Sequence, residues 1–104
     1  MESSQNILNE LDKKIILKYK KVKGKNKTDI YGLENIITEN TKLDDFLTKI
    51  KKKLGCGGIK IKIKDDNNLD ITIIEFMGDH RLKIKQILID ENIITSDKIE
   101  IKGA

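Results

Sequence analysis

From Ile59 to Lys64 the chain reads Ile-Lys-Ile-Lys-Ile-Lys, and this unbroken two-residue alternation constrains the fold more than any other feature. A period of two places Ile59, Ile61 and Ile63 on one side of an extended segment and Lys60, Lys62 and Lys64 on the other, a separation that a helix would scramble. The segment is expected to be a strand with one face in a core and the other in water. Asp65-Asp66-Asn67-Asn68 supplies turn chemistry. Asp70 to Met77 then returns as the partner strand before Gly78 breaks it.

On either side of this hairpin the period changes. Leu43, Phe46, Leu47, Ile50 and Leu54 recur at helical spacing, which predicts a helix over Lys42 to Leu54. Thr41 is its expected N-cap, with Asp44 reaching back as in a capping box and Asp45 adding negative charge near the positive pole. Lys49, Lys51, Lys52 and Lys53 gather at the negative pole, and Gly55 to Gly58 ends the helix. Downstream, Asp79 is expected to N-cap a second helix, His80 to Glu91, with Ile84, Ile87 and Leu88 buried and Asn92 left-handed at its exit.

Ahead of both helices, Ile15 to Val22 and Thr28 to Tyr31 read as a hairpin turning at Gly24-Lys25-Asn26, with Lys23 to Lys27 at its tip. Gly32 to Asn40 is a polar connection with an apolar anchor at Ile36-Ile37. Lys98 to Lys102 closes as a strand with Ile99 and Ile101 inward. The order ββαββαβ implies an α+β fold, a two-layer sandwich with two helices packed on one face of a five-stranded mixed sheet. Residues 1–12, in which Ile7, Leu8 and Leu11 give slight amphipathicity, are expected to be a flexible N-terminal tail ahead of a domain at 13–104.

At 104 residues, 38% hydrophobic and 37% charged, the chain is expected to be one soluble domain. No apolar run approaches the roughly 20 residues that cross a bilayer, and no basic stretch leads into an apolar one at the start, so no membrane role and a cytoplasmic location are expected. A single Cys56 excludes an internal disulfide, and with the single His80 it leaves too few soft ligands for structural zinc. No metal or cofactor is expected. Cys56 and His80 are also the one conceivable nucleophile and base, but Cys56 sits at a helix exit, whose negative pole raises a thiol pKa. Catalysis is therefore not expected. Asp65, Asp66 and Asp70 lack the glycine and closing glutamate of a calcium loop and read as turn residues.

The net charge of +4 conceals a cluster: Lys13 to Lys27 holds eight lysines and no acid. Such a block attracts polyanions, phosphate backbones above all, although a solvated, lysine-rich strand pair would look the same. Leu54-Gly55-Cys56-Gly57-Gly58, preceded by Lys51-Lys52-Lys53 and followed about twenty residues on by Phe76-Met77-Gly78-Asp79-His80-Arg81, resembles the eukaryotic-type translation initiation factor one family with its archaeal and bacterial relatives. The likeness runs from Lys14 to Gly103 and takes in the basic hairpin, Gly32 and the terminal Lys98-Ile99-Glu100-Ile101-Lys102-Gly103.

The resemblance implies a non-enzymatic, monomeric factor that binds the small ribosomal subunit and its RNA beside the decoding site. It would lie near initiator tRNA and other translation initiation factors, and would oppose full tRNA accommodation at a poor start codon. By the same resemblance, Lys20, Lys21, Lys23, Lys25 and Lys27 are the first candidates for RNA contact. Lys49, Lys52 and Lys53, with Gly57 in the Gly55 to Gly58 turn, are the second. Arg81 is a candidate for either an RNA contact or a local ion pair. Gly78, Asp79 and His80 form the corner expected to support fidelity, and the Asp65, Asp66, Asn67 turn is expected to face tRNA, where its acid would resist phosphate. Another class of function stays open: a protein-interaction or RNA-binding module acting in ribosome recycling or regulation. For that class, Ile73 and Met77 would leave an apolar strip on the open sheet face.

Overall fold

Strands of period two and helices with one apolar face each bury their greasy side by stacking in two layers. In the computed structural model, which describes residues 13–103, the order is β1 (Ile15–Val22), β2 (Lys25–Tyr31), α1 (Asn40–Leu54), β3 (Gly58–Lys64), β4 (Asp70–Met77), α2 (Arg81–Asp90) and β5 (Ile99–Lys102). The strands lie in the order β3-β4-β2-β1-β5, antiparallel throughout except for β1 beside β5. This is the α+β arrangement with a five-stranded mixed sheet and two helices. The expected N-terminal tail at 1–12 lies outside the described residues, as does Ala104.

Ile15, Leu17, Ile30, Ile74 and Phe76 form the sheet side of the core, with Leu43, Phe46, Leu47 and Ile50 of α1 and Ile84, Ile87 and Leu88 of α2. Leu33, buried in a single 3-10 turn (Leu33–Asn35), anchors the connection after β2 more deeply than Ile36 and Ile37, which pack against the core from a half-buried position.

At the helix starts the expected caps do not form, and the two acids take basic partners instead. α1 begins at Asn40 behind Glu39 rather than at Lys42 behind Thr41, and no side chain caps it. Asp44, expected in a capping box, instead pairs with Lys60 of β3 at 2.6 Å. α2 starts at Arg81 with His80 in the cap position, so Asp79 is not its N-cap. The Asp79 carboxylate instead accepts two hydrogen bonds from the Arg81 guanidinium, both at 2.8 Å, and a charged bidentate partner outcompetes a backbone amide. The helix exits follow their sequence signals. Gly55 is left-handed after α1. After α2, Asn92 has φ 58, with Ile93 N–H donating to Leu88 O and Asn92 N–H to Ile89 O in a Schellman motif.

The alternating strand faces the other way from the simplest reading. β3 is an edge strand whose Ile59, Ile61 and Ile63 stand opposite Glu75, Ile73 and Ile71 of β4. Because Ile74 and Phe76 point into the core, their neighbours point away from it, and the isoleucine row of β3 goes with them. Ile59 is 58% exposed. The lysine row lies on the helix side, where Lys60 reaches Asp44. Gly58 permits this register: it stands opposite Phe76, and a Cβ there would lie 2.5 Å from the Phe76 ring. Ile101, expected inward, is 37% exposed, because β5 is the other outer strand. Gly58→Ala should cost about 1–3 kcal/mol through overpacking against the fully buried Phe76 ring. Gly57→Ala, whose Cβ would meet nothing within 4 Å, should stay within about 0.5 kcal/mol of the parent. Urea unfolding of the two variants checks this, and equal midpoints would show that Phe76 does not set the register.

Candidate nucleic-acid interface

Lys23 (φ 52) and Gly24 (φ 79) form a two-residue turn between the paired Val22 and Lys25. Two consecutive left-handed residues make the type I′ geometry, whose twist suits a hairpin. The turn thus falls one residue earlier than Gly24-Lys25-Asn26, and Lys25 and Lys27 belong to β2. Lys21, Lys23 and Lys25 are exposed around this tip, and no ion pair engages them among the described residues.

Lys20 and Lys27 are differently placed. On the sheet face away from the helices, Asp29 of β2 stands directly opposite Glu75 of β4, and the two are only 2% and 7% exposed. Like charges at a cross-strand pair repel. Lys20 Nζ lies 3.0 Å from Asp29 and 2.8 Å from Glu75, and Lys27 Nζ lies 3.1 Å from Glu75. Hydrogen bonds to Glu75 and then Asp29 push the Lys20 pKa up to about 12. The Lys20 hydrogen bond is also the main reason that Glu75 is held below its ordinary value. Asp29, whose Oδ1 has no hydrogen-bond partner, is pushed up, chiefly by burial. Two lysines of the basic block therefore neutralise the sheet's own acids. Sequence reasoning passed over Asp29 and Glu75, and the signal that could have found them is acid inside two β-rich segments next to a lysine block.

The Gly78 corner is fastened to the same hairpin. The hydroxyl of fully buried Thr28 donates to Gly78 O at 2.7 Å and accepts from His80 N–H at 2.9 Å, while Gly78 N–H donates to Asn26 O at 2.8 Å. Gly78 has φ 95, and a Cβ there would come within 2.7 Å of His80 Nε2. That ring nitrogen lies 2.9 Å from Met77 O. Arg81 takes the local option: beyond Asp79 it donates to the carbonyls of Lys102 and Gly103, both at 3.2 Å, and stacks 4.8 Å above the Tyr19 ring. Its guanidinium holds the Asp79 carboxyl below the ordinary range. Thr28 was another residue that sequence reasoning missed, since a strand threonine has no mark that distinguishes it.

The register gathers some candidates and separates others. The hairpin tip, the Met77 end of β4 and Gly57, whose carbonyl accepts from Met77 N–H at 3.4 Å, occupy one end of the sheet together with the Gly78 to Arg81 corner. Of the lysines at the end of α1, Lys52 is exposed and has no ion pair among the described residues. Lys49 and Lys53 face Glu91, whose carboxyl Lys49 holds below its ordinary value. Asp65, Asp66 and Asn67 lie at the opposite end of the sheet, where Asp65 Oδ1 accepts from the amides of Asn67 and Leu69, both at 2.9 Å. Burial pushes the Cys56 thiol up. Among the described residues there is no group of three His, Cys, Asp or Glu able to hold a metal ion, and no helix is long and apolar enough to cross a membrane.

The acid pair sets a pH signature. Lys20, raised in the fold, contributes fully below its ordinary 10.5, and that contribution is lost as pH climbs through about 12. Glu75, lowered, contributes above its ordinary value and is lost as pH falls through its folded one. Asp29, raised, acts in reverse: its charge costs stability at neutral pH, and on acidification it binds its proton earlier in the folded than in the unfolded chain. Relative to Asp29→Asn, the parent should therefore gain stability as pH falls from 7 through the raised Asp29 value. Urea melts across that range measure it, and a pH-independent difference would mean that Asp29 titrates normally.

A family model described as translation initiation factor SUI1 matches residues 11–94. The chain is 38% identical over 79 residues to a protein translation factor SUI1 homolog of Thermococcus onnurineus, an alignment covering 76% of this chain and 67% of that protein. It is 39% identical over 67 residues to the SUI1 homolog of Thermococcus gammatolerans, covering 64% of this chain and 56% of that relative. Since the matched span takes in the basic hairpin, both helices and the Gly78 corner, the chain belongs to the SUI1 family of translation initiation factors.

Proposed function

We propose that this factor binds the small ribosomal subunit near the decoding site and promotes accurate start-codon selection by opposing premature accommodation of initiator tRNA. The observation that carries the reading is the hairpin tip, where Lys21, Lys23 and Lys25 surround a tight turn and no acid pairs with them among the described residues. Ammonium groups on a rigid projection contact phosphates without demanding base identity, so they place the factor on ribosomal RNA by position. Lys52 and the Gly57 turn extend the contact from the neighbouring helix end. Lys20, Lys27, Lys49, Lys53 and Arg81, each held by acids of the fold, serve the interface mainly by keeping its frame rigid.

The acidic Asp65 to Asn67 turn, at the other end of the sheet, suits a surface that disfavours the phosphates of tRNA. A contact made mostly of lysine and phosphate is reversible, and tRNA has only to outweigh the difference between two bound states to displace the factor. The role needs no catalytic step, metal or cofactor. It is exercised in the cytoplasm by a monomer, alongside other initiation factors.

Co-sedimentation with small subunits should weaken steadily as salt rises. Charge reversal of Lys21, Lys23 and Lys25 should lower the affinity at least about tenfold and flatten the salt slope by roughly one unit per lost contact, with the melting midpoint nearly unchanged. Salt-independent association would overturn the reading. Asp79→Asn, which loosens the clamp on Arg81 without emptying the corner, should raise initiation at near-cognate codons in a reporter while the protein stays folded. Unchanged fidelity would confine Asp79 to local structure.

A further inference from the structure

The proposed ribosome contact leaves the outer edge of the sheet unused. β3 pairs with β4 alone, so one row of its backbone groups has no strand beside it. Gly57 O accepts from its opposite number, Met77. The period of an antiparallel ladder therefore turns the backbone groups of Ile59, Ile61 and Ile63 toward β4 and those of Lys60, Lys62 and Lys64 outward.

The side chains along this edge are sorted by chemistry. Ile59 and Ile63 are 58% and 40% exposed on the face away from the helices, with half-buried Ile61 between them. On the other face Lys60 is held by Asp44 and Lys64 by Asp70 at 2.7 Å. Lys62 is exposed, with no ion pair among the described residues. Edge lysines normally discourage strand pairing, but here they run beside an apolar rail that water solvates poorly.

We propose that the β3 edge is a docking site for an extended protein segment that alternates acidic and apolar residues and adds to the sheet as a sixth strand. Backbone pairing would supply affinity. An acid beside Lys62 would meet an ammonium with no ion pair among the described residues, acids beside Lys60 and Lys64 would compete with Asp44 and Asp70, and the apolar residues would fall beside Ile59, Ile61 and Ile63, supplying specificity. The charge pattern selects against a second copy of this chain. A two-fold antiparallel pairing of β3 with itself would set Lys62 against its own copy and Lys60 against Lys64, all of one sign. It also selects against RNA, because β3 offers no aromatic ring on which bases could stack.

The test uses the full chain and a capped peptide of about eight residues alternating Glu and Val, titrated at low salt with anisotropy and protein amide shifts as readouts. Saturable binding is expected, with shifts centred on β3 and slowed amide exchange at Lys60 and Lys62. A peptide with Lys in place of Glu should bind at least about tenfold more weakly. N-methylation of the peptide amides that face β3 should abolish binding while leaving the protein untouched. Lys62→Glu should narrow or reverse the preference between the two peptides. The proposal is overturned by no binding at about 1 mM peptide, equal affinity for a scrambled peptide, shifts centred on the hairpin tip, self-association through β3, or stronger perturbation of β3 by an oligouridylate. None of these arms involves the ribosome, so they leave the start-codon reading to its own test.

Discussion

β2 and β4 meet over five residue pairs, Lys27–Tyr31 against Ile73–Met77, and this seam joins the two hairpins into one sheet. On its helix side Ile30 opposes Ile74 and Thr28 opposes Phe76, four buried side chains that give the sheet its place in the core. On its other side Asp29 opposes Glu75. Two adjacent, largely buried carboxylates are intolerable without cations. The chain supplies Lys20 from the neighbouring strand β1 and Lys27 from β2 itself. Cohesion of the sheet and the distribution of its positive charge are thus one problem with one solution.

That solution divides the basic block. Of the lysines around the first hairpin, Lys20 and Lys27 are held by the acid pair, and Lys21, Lys23 and Lys25 around the turn are left to solvent. The division follows from position along the strands: Lys20 and Lys27 are cross-strand partners beside Asp29 and Glu75, Lys25 shares their face but lies at the turn end opposite Val22, and Lys23 belongs to the turn. A similar division operates at the end of α1, where Glu91 draws Lys49 and Lys53 and leaves Lys52 without an ion pair among the described residues.

Thr28 links the seam to the corner. Its hydroxyl satisfies Gly78 O and His80 N–H, two backbone groups freed where β4 ends and α2 has not yet begun. The corner and the basic tip therefore share one frame. Movement of one relative to the other would break the partly buried hydrogen bonds of the Thr28 hydroxyl, which is costly because the buried hydroxyl would be left unpaired. Arg81 extends the frame to the end of β5 through the Lys102 and Gly103 carbonyls.

Much of this architecture was legible in the residues. The stripe Leu43, Phe46, Leu47, Ile50, the exits at Gly55 and Asn92, the order of strands and helices, and the outward turn of Met77 all follow from periods and from backbone preferences acting within a few residues. The family likeness was carried by the same kind of local signal at Gly55 to Gly58 and Gly78 to Arg81. What the residues could not disclose is which of several competing partners each group takes, whether near in the chain or far from it. Thr41 and Asp79 are good caps by local chemistry, yet neither one caps, because Asp79 meets a better partner in Arg81 and α1 begins a residue before Thr41. The alternation of β3 determined by itself that isoleucine and lysine would part. Which of them faced the helices was decided by the Phe76 ring filling the space over Gly58, since a strand's pattern has two faces and only its neighbour's register chooses between them.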